Sequence, residues 1–509
     1  MKVVLKSKKL LALILAVIMI FSAVPSTVVG AIGTTTKIDY LTVPLYNSTT
    51  NEADVRLSKI RSLAATLTQG FKNFEETVDI SKHNVYYTQE DVDLLIATMS
   101  GYLPECFHIE SGFSISYDAG SNKIAGVRPT YSCTKGEYQQ MMATCNAMAD
   151  RLLAGIKGNE KLGDVEKALL IHDRIALLCE YDYDNYLDNS IPHISHTMYG
   201  VLGNGTAVCQ GYALTYGWLL DKVGIENEYV SSNKLNHAWN IVYIDSKPYH
   251  VDVTADDPVW DITGRVRHKY FLCSTDLFRQ DHSHDAYDYT STPSDTTYDE
   301  YFWRDSRTAF TLLDDEIYYI CNVHDYIMKY SDNSAIYDIT SKWWANEEHT
   351  SIWADQARLA TDGKVLLFSL SDGIYSLDPK TGDARLVHKA TLTGLFSIYG
   401  FTYDNGYLIY DLALTPDFDE NTKKLYEKKV LYVPPVTPTP PPAPTFDAGD
   451  VNGDDDVTLD DVVLMAQSVA GWTVEMGGAS ADVNDDGDVT LDDVVLLAQF
   501  VAGWAVTLK

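Results

Sequence analysis

Residues 205–258 read GTAVCQGYALTYGWLLDKVGIENEYVSSNKLNHAWNIVYIDSKPYHVDVTADDP, and the rest of the chain is organised around this stretch. Glycines surround Cys209, and apolar residues then recur at helical spacing until Gly224, a residue type that suits a helix C-terminus. The pattern predicts that Cys209 lies at or just inside a helix N-terminus. Unpaired backbone N–H groups and the helix dipole at such a position favour a thiolate and can stabilise an oxyanion.

Two strands are predicted after this helix, at residues 237–244 and 249–254, with Asp245-Ser246-Lys247 between them. If Asp245-Ser246 forms a two-residue turn, Trp239 lies opposite Asp252. Asp252 is then the diagonal neighbour of His237 on one face of the hairpin, so that the two side chains can pair. A register shift of one residue would separate them. The stretch therefore offers a nucleophile, a base and an orienting carboxylate.

Other residues of the same stretch could fill two of these roles. His250 lies on the same strand face and is an alternative base, and Asp256 and Asp257, in the turn before Pro258, are alternatives to Asp252. His172 lies beside the apolar stripe of an upstream helix, and we interpret it as a structural histidine.

A family resemblance rests on three runs, GTAVCQGYA, NHAWN and YHVDVTADDP, with KALLIHDRIALLCEYDY upstream and HKYFLCSTD downstream. They resemble the transglutaminase-like superfamily, a branch of the papain-like cysteine enzymes, over about residues 50–290. The resemblance implies an α+β papain/transglutaminase-like catalytic core. It also implies Cys209 as nucleophile, His237 as general base and acid, and Asp252 as the residue that orients the imidazole. Gly203 stands where many papain-like enzymes have a second oxyanion donor, so this donor is not identified.

Charge and targeting signals limit the possible partners. The formal net charge is −32, from 71 acidic and 39 basic residues, which argues against nucleic acid or an anionic membrane as a partner. Lysines followed by an apolar run too short to span a bilayer predict a signal peptide at residues 1–31 and a secreted protein. The seven cysteines are too scattered for a disulfide framework, and most are expected to be buried thiols.

The remaining segments differ in composition and hydrophobic pattern, and these differences predict the domain boundaries. An N-terminal α+β region that frames the core takes residues 32–160, and the transglutaminase-like catalytic core takes residues 161–295. Residues 296–433 alternate in short aromatic-rich strands and predict an all-β accessory domain, about three propeller-blade units long. Residues 434–445 are a Pro/Thr linker that extends as a spacer. A small all-α module takes residues 446–509.

A 32-residue repeat carries oxygen donors at the spacing of calcium loops. DVNGDDDVTLDDVVLMAQSVAGW from residue 450 matches DVNDDGDVTLDDVVLLAQFVAGW from residue 482 at 19 of 23 positions. Asp455 replaces the glycine of loop position 6 in the first copy, where we expect strain. EF-hand-like loop positions 1, 3, 5, 7, 9 and 12 are filled by Asp450, Asn452, Asp454, Asp456, Thr458 and Asp461, then by Asp482, Asn484, Asp486, Asp488, Thr490 and Asp493.

Two such loop–helix units after a Pro/Thr linker resemble a type I dockerin. The resemblance implies two bound calcium ions and, as partner, a cohesin on a cellulosomal scaffoldin. It also implies that Leu459-Asp460 and Leu491-Asp492 take part in recognising the cohesin. Because the two pairs are the same in both repeats, either half could dock.

The sequence hypothesis is thus a secreted, cellulosome-attached cysteine enzyme in a polysaccharide-degrading complex. It would act on protein or peptide amides through a thioester, with hydrolysis favoured because water surrounds a secreted enzyme and no dedicated amine site is visible. Protein cross-linking by transamidation and a non-catalytic binding module are the alternatives. The substrate, the cohesin and the role of the β-rich domain are not specified by the sequence.

Overall fold

The computed structural model describes residues 36–39, 50–232, 235–259, 261–280, 292–321, 325–339, 357–392, 397–413, 425–434, 448–474, 476 and 481–509. The predicted signal peptide, residues 1–31, and the Pro/Thr linker after residue 434 lie outside these ranges. Two compact units divide the chain, Met1–Val433 and Pro434–Lys509. All seven cysteines are unpaired, as expected, and four of them are buried.

The first part of the larger unit is an antiparallel sheet covered by helices. Its four strands follow the order β1-β3-β4-β2, and the helices Thr50–Lys72 and Gln89–Gly101 pack their apolar faces against it, with Leu63 and Phe71 at no exposure. The helix Lys135–Leu152 packs instead into the buried cluster at the centre of the unit. The elements are β1 Thr36–Asp39, β2 Val78–Asp79, β3 Ile109–Tyr117, β4 Ile124–Tyr131, α1 Thr50–Lys72, α2 Gln89–Gly101 and α3 Lys135–Leu152.

A buried helix and a three-stranded sheet form the centre of this unit. Ten of the 15 residues of α6 are buried, because the helix packs between α4 and the sheet β7-β8-β9. Its start and its end at Gly224, which has φ 81°, are as predicted. The elements are α4 Asp164–Ala176, β5 Glu180–Tyr181, α5 Tyr183–Leu187, β6 Thr206–Ala207, α6 Cys209–Val223, β7 Asn227–Ser232, β8 His237–Ile244, β9 Lys247–Val251, α7 Val253–Asp256 and α8 Thr275–Phe278.

The β8–β9 hairpin has the register that the two-residue turn predicted. Ile244 pairs with Lys247 and Asn240 with Val251, while Asp245 and Ser246 have φ of 50° and 62° as a tight hairpin turn requires. The predicted second strand, 249–254, is wrong at its end. The strand stops at Val251, because the Asp252 side chain accepts the Ala255 N–H and begins α7.

Three antiparallel meander sheets make up the later part of this unit. The first sheet shares its core with the centre of the unit, since Phe310, Ile317 and Tyr319 belong to the same buried cluster as α4 and α6. The strands are β10 Thr311–Leu313, β11 Glu316–Cys321, β12 Tyr326–Lys329 and β13 Ala335–Asp338; β14 Leu359–Thr361, β15 Leu366–Leu370, β16 Gly373–Leu377 and β17 Ala384–Lys389; and β18 Ser397–Asp404, β19 Tyr407–Ala413 and β20 Leu425–Leu431.

The smaller unit contains the two repeats. Each calcium-type loop runs into a helix, α9 Leu459–Val469 or α10 Leu491–Val501, and each helix begins with a capping box. The two helices contact each other, and Met465 and Leu497, at equivalent positions of the repeats, are fully buried in the shared core. Together the described residues form a mixed α/β protein with several β-sheets and a helical C-terminal unit.

Candidate active site and calcium loops

Cys209 is the first residue of α6 and is half-buried. Val208 before it is extended, and its carbonyl accepts the N–H groups of Gly211 at 2.8 Å and Tyr212 at 3.3 Å. The N–H groups of Cys209 and Gln210 precede these and have no acceptor within the helix. They lie at the open first turn beside the thiol, which is the arrangement that an oxyanion-binding site needs.

Gly211 lets the preceding chain pack against this turn. A Cβ at this position would lie 2.9 Å from Ser195 O and 3.0 Å from Thr197 O, both of them backbone atoms. Since real Cβ atoms almost never come so close to backbone oxygens, a larger side chain would displace this segment from the helix. Glycine here therefore fixes the surroundings of Cys209.

His237 and Asp252 form the hydrogen-bonded pair that the hairpin register predicted. The His237 ring donates from Nε2 to Asp252 Oδ2 at 2.7 Å. Trp239 stacks against the imidazole, with ring centroids 5.8 Å apart and 22° between the planes. The second oxygen of Asp252, Oδ1, accepts the Ala255 N–H at 3.0 Å. Both carboxylate oxygens are thus held, and one of them orients the histidine.

The surroundings of His237 favour its charged form. Burial would lower the pKa of His237, but the Asp252 carboxylate and, after it, contact with Cys209 raise the pKa well above its usual value. The Cys209 side chain is therefore within interaction range of the imidazole. Because Nε2 is engaged by Asp252, Nδ1 is the ring nitrogen that can exchange a proton with the thiol.

The alternative base, His250, has a structural environment. Its side chain is fully buried, with Nδ1 accepting the Trp239 indole N–H at 3.1 Å and Nε2 3.1 Å from Thr275 Oγ1. Both ring nitrogens are therefore used, Nδ1 in joining the two hairpin strands and Nε2 in fixing the hairpin to α8.

The two alternative carboxylates also have other partners. Asp256 accepts the Tyr270 N–H, at 3.1 and 3.0 Å, and Asp257 Oδ2 accepts the Tyr212 hydroxyl at 2.7 Å. Of the three candidates, Asp252 is the one that hydrogen-bonds His237.

Tyr181 is a neighbour of this group that the sequence did not single out. Strands β5 and β6 pair in parallel and place Tyr181 beside Ala207, two residues before Cys209. Burial raises the pKa of Tyr181, and Cys209 and Asp252 raise it further, so the phenol lies within electrostatic range of both. Two-residue strands leave no periodic signal, which is why pattern reasoning missed this contact.

A negatively charged cleft borders Tyr181. Its volume is about 440 Å³. It lies between residues 180–184 and 257–263 on one side and the last β-sheet on the other. Burial and then the neighbouring Glu180 raise the pKa of Asp261 to about 6. Seven acidic residues line the cleft: Glu180, Asp182, Asp184, Asp257, Asp261, Asp411 and Glu427.

The carboxylates of the two repeated loops are held by the loop backbone or lie close to one another. In the first, Asp450 accepts the N–H groups of Gly453 and Asp454, and Asp461 reaches back to the N–H groups of Val451 and Asn452. In the second, single carboxylate oxygens of Asp482, Asp486 and Asp493 lie within 4.8 Å of one another. Hard oxygen donors at these positions fit Ca²⁺.

Asp455 has the left-handed backbone conformation that was expected to cause strain, and an aspartate of the second loop has the same conformation. Asp455, at position 6 of the first loop, has φ 69°, and Gly453, at position 4, has φ 75°. The second loop reverses the two residue types, with Asp485 at φ 61° and Gly487 at φ 95°. Each loop therefore holds one aspartate in the left-handed region, so this strain does not distinguish the first loop from the second.

Comparison with known families decides the nature of the smaller unit. Residues 448–502 match the model of the dockerin type I domain. This segment is a type I dockerin. Such domains are generally calcium-binding and bind the cohesins of scaffoldins, so the dockerin indicates an extracellular protein attached to a cellulosome.

For the larger unit the comparisons do not establish a family. A solved structure titled "Crystal structure of a TGase" matches at 15% identity and a TM-score of 0.21. The match covers 29% of this chain and 45% of that one, so the chain spans less than half of that structure. No curated protein matches the chain. Within the described residues, no helix combines the length and the apolar character that crossing a membrane requires.

The dockerin presents two equivalent apolar surfaces. Leu459 and Leu491 are each 64% exposed, and Val463 and Val495 are each 47% exposed. These residues occupy the same positions of α9 and α10. The repeat therefore produces two copies of one surface.

Proposed function

We propose that the larger unit is a papain-like cysteine enzyme of the transglutaminase-like type, with residues 161–295 as its catalytic core. Cys209 is the nucleophile, His237 the general base and acid, and Asp252 the orienting residue. The observation that carries the proposal is the 2.7 Å hydrogen bond from His237 to Asp252, next to a cysteine at the N-terminus of a buried helix. A histidine with a perturbed pKa in this geometry is typical of nucleophilic catalysis.

The first half of the reaction forms a thioester. Cys209 gives its proton to His237 Nδ1, and its sulfur attacks the carbonyl carbon of a substrate amide. The carbonyl electron pair moves to oxygen, where the N–H groups of Cys209 and Gln210 stabilise the charge. The intermediate collapses with cleavage of the C–N bond, and the leaving nitrogen takes the proton from His237.

The second half releases the acyl group. Neutral His237 removes a proton from water, and the oxygen attacks the thioester carbon. The C–S bond breaks, the sulfur recovers the proton, and a carboxylic acid leaves. We favour hydrolysis of protein or peptide amides, and a primary amine in place of water would give transamidation instead.

The experiment is incubation of the full chain with a peptide mixture and a labelled primary amine, with Cys209→Ala as the control. Cleaved peptides with the wild type, and none with Cys209→Ala, support hydrolysis. Incorporated amine at glutamine side chains would identify a transglutaminase. Neither product from a folded wild type that binds peptides would favour the non-catalytic binding module.

We propose further that the dockerin holds two calcium ions through the twelve loop residues named above and docks a cohesin in a polysaccharide-degrading complex. When bound, calcium neutralises the clustered carboxylates of each loop. Asp461 and Asp493 connect each loop to the first turn of the following helix, because each side chain is also part of that helix's capping box. A signal peptide at residues 1–31 would deliver the protein to this location.

A further inference from the structure

A second group of ionisable side chains is buried near the proposed catalytic residues. His172, Asp173, Asp256 and His268 all have no exposed surface. Burying four such groups is costly unless they hydrogen-bond one another with compensating charges. None of them takes part in the reaction steps above.

Asp173 is the centre of this network. Its Oδ1 accepts from His172 Nδ1 at 2.8 Å and from His268 Nε2 at 3.0 Å, while its Oδ2 accepts the Phe310 N–H at 2.6 Å. His268 Nδ1 lies 3.2 Å from Ser306 O. The network thereby fixes α4 to the chain leading into the first sheet of the β-rich region.

His172 extends the network to the turn that carries Asp252. Its Nε2 lies 3.3 Å from Asp256 Oδ2. Asp256 is the last residue of α7, whose N-cap is Asp252, and its N–H donates to the Asp252 carbonyl at 3.1 Å.

The main chain of one residue, Tyr270, connects the two ends of this turn. The Asp256 carboxylate accepts the Tyr270 N–H, and the Tyr270 carbonyl accepts the Asp252 N–H at 3.1 Å. A rotation of Asp256 would release Tyr270 and with it the main chain of Asp252. The direction of the Asp252 carboxylate therefore depends on what holds Asp256.

We propose that His172 is a positioning residue for the catalytic pair: it holds Asp256, which through Tyr270 holds the Asp252 carboxylate against His237. The inference rests on the proposed function and adds a residue that does not touch the substrate. His172 stands between two buried carboxylates, with Nδ1 on Asp173 at 2.8 Å and Nε2 3.3 Å from Asp256.

Electrostatics support this role. Burial would lower the pKa of His172, but the hydrogen bond to Asp173 and the nearby Asp256 carboxylate raise it to about 9. Tyr216 and Phe271 also pack against the ring. Without His172, the buried Asp256 carboxylate would lose the imidazole that faces its Oδ2 and would be free to turn.

The test compares His172→Asn and Asp256→Asn with His108→Asn in the full chain. His108 is an equally buried histidine of the same unit, whose Nε2 bonds Phe71 O. Iodoacetamide labelling of the Cys209 peptide is followed by mass spectrometry at pH 6 and pH 9, and thermal unfolding verifies the fold.

We expect His172→Asn and Asp256→Asn to lower the ratio of the pH 6 rate to the pH 9 rate about tenfold, the effect of losing one charged hydrogen bond. His108→Asn should leave the ratio unchanged, even with a lower melting temperature. An unchanged ratio in either folded variant of the network would overturn the inference alone. A wild type that does not react at pH 6 would overturn the proposed function and this inference with it.

Discussion

Asp252 accepts a hydrogen bond with each of its carboxylate oxygens: Oδ2 from His237 Nε2 at 2.7 Å and Oδ1 from the Ala255 N–H at 3.0 Å. One side chain thus ends the second hairpin strand, caps α7 and orients the proposed base. An amide cannot make both contacts, because it has one acceptor oxygen where the carboxylate has two.

Asp252→Asn is therefore expected to reverse the tautomer of His237. If the amide oxygen keeps the Ala255 N–H, its NH₂ group donates to Nε2 and the ring proton moves to Nδ1, which can no longer accept from Cys209. Turnover should fall about 10³- to 10⁴-fold, as for the equivalent change in a serine-protease triad. Rates of peptide cleavage or amine incorporation measure this effect.

Asp257→Asn is the matched control for that substitution. Burial and the nearby Asp261 raise the pKa of Asp257 well above its usual value, so an uncharged amide resembles its neutral form. The Asn side chain can still accept the Tyr212 hydroxyl. A loss of turnover as large as that of Asp252→Asn would contradict the assignment of Asp252 as the orienting residue.

Stability should depend on pH through His172 and Asp173. The raised pKa of His172, about 9, gives stability that is complete below the unfolded value of about 6.5 and is lost as the pH rises through 9. Burial would raise the pKa of Asp173, but His268 and His172 lower it to about 2. Its contribution is complete above about pH 4 and is lost as the pH falls through 2.

Melting temperatures of the wild type and His172→Asn between pH 2 and pH 9.5 test this dependence. The difference between the two proteins should be largest between about pH 4 and 6.5 and should narrow toward pH 9. A difference that is constant from pH 6 to pH 9.5 would show that His172 is not charged in the folded state.

The two calcium loops should bind with similar affinity. Each has one glycine and one aspartate at its two left-handed positions, so the strain that Asp455 adds to the first loop is matched by Asp485 in the second. Calorimetry on Asp450→Ala, which leaves the second loop, and Asp482→Ala, which leaves the first, should give dissociation constants within about fivefold, or ~1 kcal/mol. A first loop that binds more than tenfold more weakly would assign the dominant effect to Asp455.

Cohesin docking should survive the loss of either apolar surface. Leu459→Asp or Leu491→Asp removes one of two equally exposed sites, so binding to a cohesin should weaken about twofold. The double variant should lose at least about a hundredfold, since a buried charge would face the partner on either side. One single variant that alone abolishes binding would contradict equivalent docking, and binding unchanged by EDTA would contradict a calcium-dependent interface.

The parts of the site that follow from local chemistry were predictable from the sequence. Glycines around Cys209 and the apolar spacing after it predict the helix and its two ends, and a two-residue turn at Asp245-Ser246 fixes the register that brings His237 to Asp252. The end of the second strand was predicted wrongly, because side-chain capping by Asp252 outweighs the strand propensity of the following valine and threonine.

The contacts that join distant segments were not predictable. Tyr181 reaches the site through a two-residue parallel pairing, and Asp411 and Glu427 reach the acidic cleft from the last β-sheet. The sequence placed His172 beside an apolar helix stripe, and the residue is buried, but its link to Asp256 depends on tertiary packing over 84 residues of chain. In the dockerin, by contrast, the sequence repeat alone was enough to predict the two loop–helix units.

The most direct measurement is the rate at which iodoacetamide labels Cys209 across pH 5 to 9 in the wild type, His237→Ala and His250→Ala. A thiolate paired with the His237 imidazolium predicts fast labelling of the wild type at pH 6. His237→Ala should lose this low-pH reaction, whereas His250→Ala, which alters a buried structural histidine, should keep it in the fraction that stays folded. Slow labelling of the wild type at pH 6, or labelling that depends on His250 and not on His237, would contradict the cysteine-enzyme account.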